Sequence, residues 1–432
     1  MGRVIGIVHR VKKTRTQEAR PTMVAIQEGR EAKVFELATE TDEYDFSKDR
    51  FPVEWRKVEK DEDVYGFRAH QCKWRKVKRD EDVSQLNIAH LRRVLDKKTK
   101  LPVTEQIMKV PVRFDGLKSG DKVAMMLGGS GDIFAGRLSI EGDKIGAKVY
   151  RVPPFVFSKE RPTDDKEKKN DHLTLLKVFG EKPNLFYLVR PPDRELIRVK
   201  GKLQQRQEAQ RQRIKRQQQI WHSLIGRVFL DEDKHYGELE GELEDAYEEA
   251  QGKDEILANL WAQEEAAEKD LKKAVHRLSV WDAIFNKIEG CGERIAAGVV
   301  ASIADIRRFI APNGSAKLKK FCGVHVMEDG RFPRQRHGEV SEGTPEARQA
   351  LYLLGDQFNR RPDSVWGKKL LQYKLALREK HPEPVEVESN GKKVKRYTNG
   401  HILKMAKWRA LTRFVERLYK DWVAIENEKS AV

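Results

Sequence analysis

The sequence predicts an α/β fold over its first 190 residues and a mostly α-helical remainder. Three observations carry that reading. Apolar runs of strand length stand at residues 3–8 (RVIGIV) and Lys122–Leu127. A long stretch with segregated charge follows Pro191-Pro192-Asp193. Beyond it, Gly290 and Gly292 separate two apolar helical runs.

In chain order, the first run predicts a buried strand, and Met23–Ile26 a second strand beside it. Residues 39–100 read as an insertion. Within it, Trp55-Arg-Lys-Val-Glu-Lys-Asp-Glu-Asp-Val64 returns as Trp74-Arg-Lys-Val-Lys-Arg-Asp-Glu-Asp-Val83. Two copies are too few for a solenoid. The pair fits either a duplicated strand and turn anchored by its tryptophans, or a duplicated base-stacking motif. Lys122–Leu127 and Ala147–Val152 then predict strands with a helix or long turn between them, and the order strand, helix, strand suggests an α/β domain over 1–190. Asp164–Asp171 opens a further helix with acids in its first turn.

From Pro191 a long helix is expected, since proline is tolerated in a first helical turn. Residues 198–227 carry nine Lys or Arg and one acid, whereas 231–255 carry twelve acids and two lysines. With apolar residues recurring at Leu196, Val199, Leu203 and Ile214, then Leu257, Leu260, Leu271 and Leu278, the span 191–280 reads as an antiparallel coiled coil. Its charge runs fit solvated faces, self-pairing between chains or contact with an anion.

The third domain, 281–432, opens on Trp281, Ile284, Phe285 and Ile288, then Gly290-x-Gly292, then a helix from Glu293. This is a helix-hairpin-helix pattern. Glycine admits backbone angles closed to other residues, and amides at the second helix's start can face a phosphate. Lys287, Gly290, Gly292, Glu293 and Arg294 are the expected nucleic-acid-binding residues. Such a hairpin positions a backbone and reads no bases. The alternative is a tight turn used only for packing.

Charge points the same way. Lys and Arg number 85 against 68 Asp and Glu, for a net charge of +17. That surplus favours a polyanionic partner, through release of condensed counterions. Three cysteines are too few and too scattered for a disulfide framework or a zinc site. Gly128-Gly-Ser-Gly131 lacks the Gly-Lys-Ser/Thr of a phosphate-binding loop. No stretch approaches eighteen apolar residues, and the start MGRVIGIVHRVKK lacks a signal-peptide core. A cytoplasmic protein with no membrane partner is expected.

The order of motifs in the second half resembles a known family. After the hairpin come Phe309, Leu318-Lys-Lys-Phe-Cys-Gly-Val324, Gly338-Glu-Val-Ser-Glu-Gly-Thr344, Ala347-Arg-Gln-Ala-Leu-Tyr-Leu-Leu354 and a last helix at His401–Trp422. That order is similar to the C-terminal domain of the DEDD insertion-sequence transposases (the insertion sequence one-hundred-and-ten family) and the Piv-type DNA invertases. The first half is similar too: RVIGIV matches the opening strand, MMLGGSG stands where the family has "MEATG", and NDHLTLL lies near its "TDxxDA". The resemblance implies a RuvC-like (RNase H-like) N-terminal domain with an insertion, a long antiparallel coiled coil and a helix-hairpin-helix C-terminal domain. It also implies DNA, or structured RNA, as partner, and dimers or tetramers through the coiled coil.

The chain departs from the family where chemistry is concentrated. A RuvC-like site uses about four carboxylates around Mg²⁺ ions. Here the first Asp position holds Val8, the Glu position Gly128, and the Asp pair Lys168 and Asp171. Asp171 is thus the one catalytic candidate. Asp132, Asp164 and Asp165 lie near it in sequence as substitutes, so that Asp171, Asp132 and Asp165 are the expected metal ligands if any are. The family's catalytic serine falls on Asp329, and Ser341 matches a different serine. Three functions follow: a degenerate relative that binds nucleic acid without cutting and needs no cofactor; an active transposase or recombinase with relocated carboxylates and Mg²⁺; or a coiled-coil structural protein.

Overall fold

The computed structural model describes residues 2–11, 13, 18–29, 31–78, 81, 83–96, 99–162, 169–230, 242–310, 312–327, 332–333, 343–389 and 392–430. It divides into two compact units, Met1–Arg190 and Pro191–Val432.

In the first unit β1 (Val4–Val8), β2 (Thr22–Glu28) and β3 (Glu31–Leu37) form an antiparallel meander, followed by α1 (Glu40–Ser47). An inserted sheet comes next, of β4 (Phe51–Lys57), β5 (Lys73–Lys76), β6 (Leu91–Leu95) and β7 (Pro102–Asp115). The chain then returns to the first sheet with β8 (Lys122–Met126), α2 (Gly131–Ile145) and β9 (Lys148–Val152). After α3 (Pro154–Glu160) and α4 (Asp171–Glu181), β10 (Tyr187–Leu188) closes the edge. The main sheet has the order β10-β9-β8-β1-β2-β3, with β8 parallel to both β1 and β9.

Alternation along β1 explains the layering. Ile5 and Ile7 pack with Phe46 of α1 and Phe134 and Leu138 of α2, while Val4 and Val8 pack with Leu175 and Val178 of α4. One strand thus feeds two apolar layers, because successive side chains point to opposite faces. The strands expected at 3–8, 23–26, 122–127 and 147–152 all form. Two boundaries move. Residues 40–47 belong to the main core, since Phe46 is fully buried and Thr39 caps α1 through the Asp42 amide at 3.2 Å. The inserted sheet instead runs on to Asp115, because the 14-residue β7 is its central strand and pairs with β4, β5 and β6. The helix expected from Asp164 begins at Asp171; residues 163–168 lie outside those described.

The repeat is a duplicated strand and turn. Both copies pair with β7, Trp55 opposite Pro111 and Trp74 opposite Ile107. In each, the arginine after the tryptophan reaches the glutamate six residues on, Arg56 to Glu62 and Arg75 to Glu81, both at 2.7 Å. The indole N–H groups donate to the Gln71 and Ala69 carbonyls, and Lys73 and Arg92 lie over the rings at 4.1 and 3.9 Å. Those ring faces are occupied within the fold, which favours anchoring over base stacking.

The second unit starts with α5 (Pro191–Leu230), α6 (Glu242–Gly252) and α7 (Glu255–Val275). At 1.5 Å per residue the forty residues of α5 span about 60 Å. It lies antiparallel to α7, joined by Lys202–Asp270, Arg206–Glu268 and Arg213–Glu264. The expected acidic partner, 231–255, is corrected in part. Residues 231–241 lie outside those described, α6 meets α5 through Tyr247 on Trp221, and most of the pairing carboxylates sit on α7. The reason is a break at Gly252–Asp254, where Asp254 caps α7 by accepting the Leu257 amide at 2.6 Å. Charge also enters the seam rather than only flanking it, since Arg206 and Glu264 are each 8% exposed.

Continuing, α8 (Ser279–Ala283), α9 (Glu293–Ile303), α10 (Gly314–Phe321), α11 (Pro345–Arg360) and α12 (Val365–Lys380) lead to a two-stranded hairpin, β11 (Val385–Ser389) with β12 (Lys392–Arg396). The last helix is α13 (Asn399–Ser430). Val199 of α5 and Leu271 of α7 share one core with Val299, Leu351 and Phe414, so the core is continuous across residue 280. No helix among the described residues is long and apolar enough to cross a membrane.

Candidate nucleic-acid interface

A turn stands at Gly290–Gly292, where the spacing predicts the hairpin. Trp281, Ile284 and Phe285 are buried, a single helical turn at Phe285–Lys287 follows α8, and α9 starts directly after Gly292. The two glycines do different work. Gly290 has φ +83°, a left-handed conformation that disfavours side chains. A Cβ there would meet the Arg361 guanidinium at 2.8 Å and Gln357 Cβ at 2.9 Å. Gly292 is extended at φ −71°, and a Cβ on it would meet nothing within 4 Å. The expectation that both glycines supply unusual angles therefore holds for Gly290 alone; Gly292 keeps an open approach.

Around this turn the expected residues spread unevenly. Lys287 is exposed. Arg294 is 58% exposed and 3.4 Å from Glu268. Glu293 is half-buried and bonded to His276 at 3.1 Å, with His276 stacked on Trp281. Burial would raise the Glu293 pKa, but its own backbone amide and His276 outweigh that and lower it, so it stays anionic. Its carboxylate is therefore a local anion at the very terminus expected to receive a phosphate. The Ile295 amide is also spent, donating to the Gly292 carbonyl at 3.0 Å. Arg361, far along the chain at the end of α11, adds an exposed guanidinium beside Gly290. Sequence reading missed it because nothing local ties α11 to the hairpin.

Substitution should separate these roles. Gly290→Val is expected to destabilise the unit through strain and the Arg361 clash. Gly292→Val should leave the melting temperature within a few degrees and weaken binding to unrelated DNA sequences about equally, as loss of a backbone contact does. Comparing affinities for several duplexes checks this; a loss confined to one sequence would instead mark a base-reading element.

The aspartates in the first turns of α2 and α4 have other partners. Asp132, in the first turn of α2, accepts Arg151 Nη1 at 2.9 Å and the Gly128 amide at 2.8 Å, and both side chains of the pair are 3% exposed. Asp171, first residue of α4, receives Arg161 Nε at 2.6 Å and Nη2 at 2.8 Å. Val8 ends β1, and Gly128 follows β8 with φ +90°. Among the described residues, no group of three His, Cys, Asp or Glu could hold a metal. Asp132 and Asp171 are each bonded to a guanidinium, and Asp165, the third residue of the expected grouping, lies outside the described residues, as do Asp164, Lys168, Asp329 and Ser341. Arg151 and Arg161 escaped sequence reading because strand β9 and the end of α3 reach these aspartates only through the fold.

Residues 282–367, about a fifth of the chain, match the family model described as Transposase IS116/IS110/IS902 family. The matched segment runs from α8 to the start of α12. No curated protein matches the chain.

Proposed function

We propose that the chain is a transposase relative that binds DNA, or structured RNA, through its basic surface and glycine hairpin, and that its N-terminal unit no longer cuts. The sheet order β3-β2-β1-β8-β9, antiparallel then parallel, supports a RuvC-like (RNase H-like) domain. The observation that carries the reading is the pairing of Asp132 and Asp171 with Arg151 and Arg161, in the region where a RuvC-like domain gathers its carboxylates. Two-metal chemistry asks for several carboxylates together, and the described residues offer no such group for a pair of Mg²⁺ ions. Binding rests on other groups: Lys287, Arg294 and Arg361 around Gly292, within a chain of net charge +17.

Binding to duplex, branched and single-stranded DNA over a series of salt concentrations tests the reading. The logarithm of affinity should fall against that of salt, with a slope near −0.9 per phosphate neutralised on duplex DNA. A salt-independent affinity, or none, would sink it and leave the structural-protein alternative. The helical hairpin of α5 and α7 is also proposed to assemble dimers or tetramers, in the cytoplasm. Sedimentation at micromolar concentration should give an oligomer, and a lone monomer would contradict this.

A further inference from the structure

We propose that Ser130, His9 and Glu43 form a nucleophile relay in which the Ser130 hydroxyl attacks carboxylic esters. The three side chains come from separate places in the N-terminal unit. His9 follows β1, Glu43 lies on α1, and Ser130 stands between the turn after β8 and the start of α2. His9 Nδ1 is 2.8 Å from Ser130 Oγ, and His9 Nε2 is 3.2 Å from Glu43 Oε1. A neutral imidazole has one donor and one acceptor nitrogen, and an ionised carboxylate only accepts. Glu43 therefore holds the ring proton on Nε2 and leaves the Nδ1 lone pair facing the hydroxyl, the arrangement a general base needs.

Glu43 is well placed to stay charged. It is 6% exposed, and Thr22 Oγ1 donates to it at 2.5 Å and Arg10 Nε at 3.1 Å. Burial alone would raise its pKa, but His9, Thr22 and Arg10 together lower it. At the other end Ser130 is exposed, and its second acceptor, the Arg10 carbonyl, is more distant at 3.4 Å. Gly128 and Gly129 bend the chain into the serine with φ +90° and +70°, and a Cβ on either would meet nothing within 4 Å. A ligand can thus lie against that turn. The first-turn amides of the 15-residue α2 adjoin Ser130 and lack intrahelical acceptors, which suits a developing oxyanion.

The geometry separates carbonyl from phosphorus chemistry. In-line displacement at phosphorus sends the leaving oxygen away from the nucleophile, where a single histidine beside the serine cannot protonate it. Addition to a carbonyl gives a tetrahedral intermediate whose leaving oxygen stays within reach of that histidine. A phosphodiester also needs free cations, and the guanidinium next to His9 in the chain, Arg10, is engaged by Glu40 and Glu43. In the proposed step the Ser130 oxygen bonds to the ester carbon while its proton passes to His9 Nδ1. The carbon–alkoxide bond then breaks, the alcohol leaves with that proton, and acyl-Ser130 remains. Water, losing a proton to His9, releases the carboxylic acid, and Ser130 Oγ regains the proton.

The test uses the full chain with a fluorophosphonate probe, with p-nitrophenyl acetate and butyrate, and with bis(p-nitrophenyl) phosphate. Peptide mass analysis should find the phosphonyl group on Ser130, and both carboxylic esters should turn over. Ser130→Ala, at an exposed position, should abolish labelling and turnover with an unchanged circular dichroism spectrum. His9→Gln should slow both by about 100-fold, the usual range for losing a general base. Glu43→Gln, which keeps the side chain's shape, should slow labelling without preventing it. Absence of label on Ser130, labelling undiminished in His9→Gln, or hydrolysis of the phosphodiester in preference to the carboxylic esters would each overturn the proposal. None of these readouts depends on nucleic-acid binding.

Discussion

Replacing Asp132 with alanine is expected to lower the stability of the N-terminal unit by about 3–5 kcal/mol, the usual cost of stripping one partner from a buried ion pair. The pair is Asp132 with Arg151, 2.9 Å apart and each 3% exposed. Deleting the carboxylate strands a buried guanidinium whose Nε has no hydrogen-bond partner among the described residues, and it also frees the Gly128 amide. Replacing both members should cost far less, because no charge is left buried. Asp132→Asn with Arg151→Met is the apt double variant, as the amide oxygen can still accept from Gly128. Hydrogen exchange on peptides of 1–190 under increasing urea reads this unit separately from the helical one. A single variant as stable as the parent would show that Asp132 is not structural, and would return it to the list of metal ligands.

The second large effect concerns DNA chemistry. Supercoiled, branched and single-stranded DNA are expected to remain uncut by the purified chain with Mg²⁺ or Mn²⁺, while binding persists. A Mg²⁺ ion takes six oxygens, and one carboxylate supplies one or two, leaving a loosely held ion poorly placed for in-line attack. Asp171 is further committed to Arg161 through two bonds of 2.6 and 2.8 Å. Asp171→Ala should accordingly change stability and leave DNA binding as it was. Releasing the aspartate by Arg161→Ala should not by itself create cleavage, since no carboxylate trio stands around it among the described residues. Nicking that disappears in Asp171→Ala would overturn this and place the residue in a working site.

Much of the fold was legible because its signals are local. The apolar runs at 3–8, 122–127 and 147–152 announce strands whatever they pack against, and Pro191-Pro192 announces a helix start. Gly290-x-Gly292 announced its turn for the same reason. The 14-residue β7 was harder to read. Its burial follows no simple alternation, and its partners β4, β5 and β6 come from the segment read as a separate insertion. The two helices flanking the β11–β12 hairpin were half anticipated: the region of α13 was expected, whereas α12 and the hairpin itself were not.

The site divides along the same line. Sequence by itself determined the basic charge, the strand and helix segments, the glycine turn and the family likeness of residues 282–367, all of which reside in composition or in neighbours a few positions apart. Only the tertiary structure decided what each charged group faces. It gave Asp132 to Arg151, Asp171 to Arg161, Glu293 to His276 and Glu43 to His9, and it laid Arg361 against Gly290. An ionisable side chain's role depends on its burial and on charges within a few ångströms, and in a folded chain those neighbours come from distant positions.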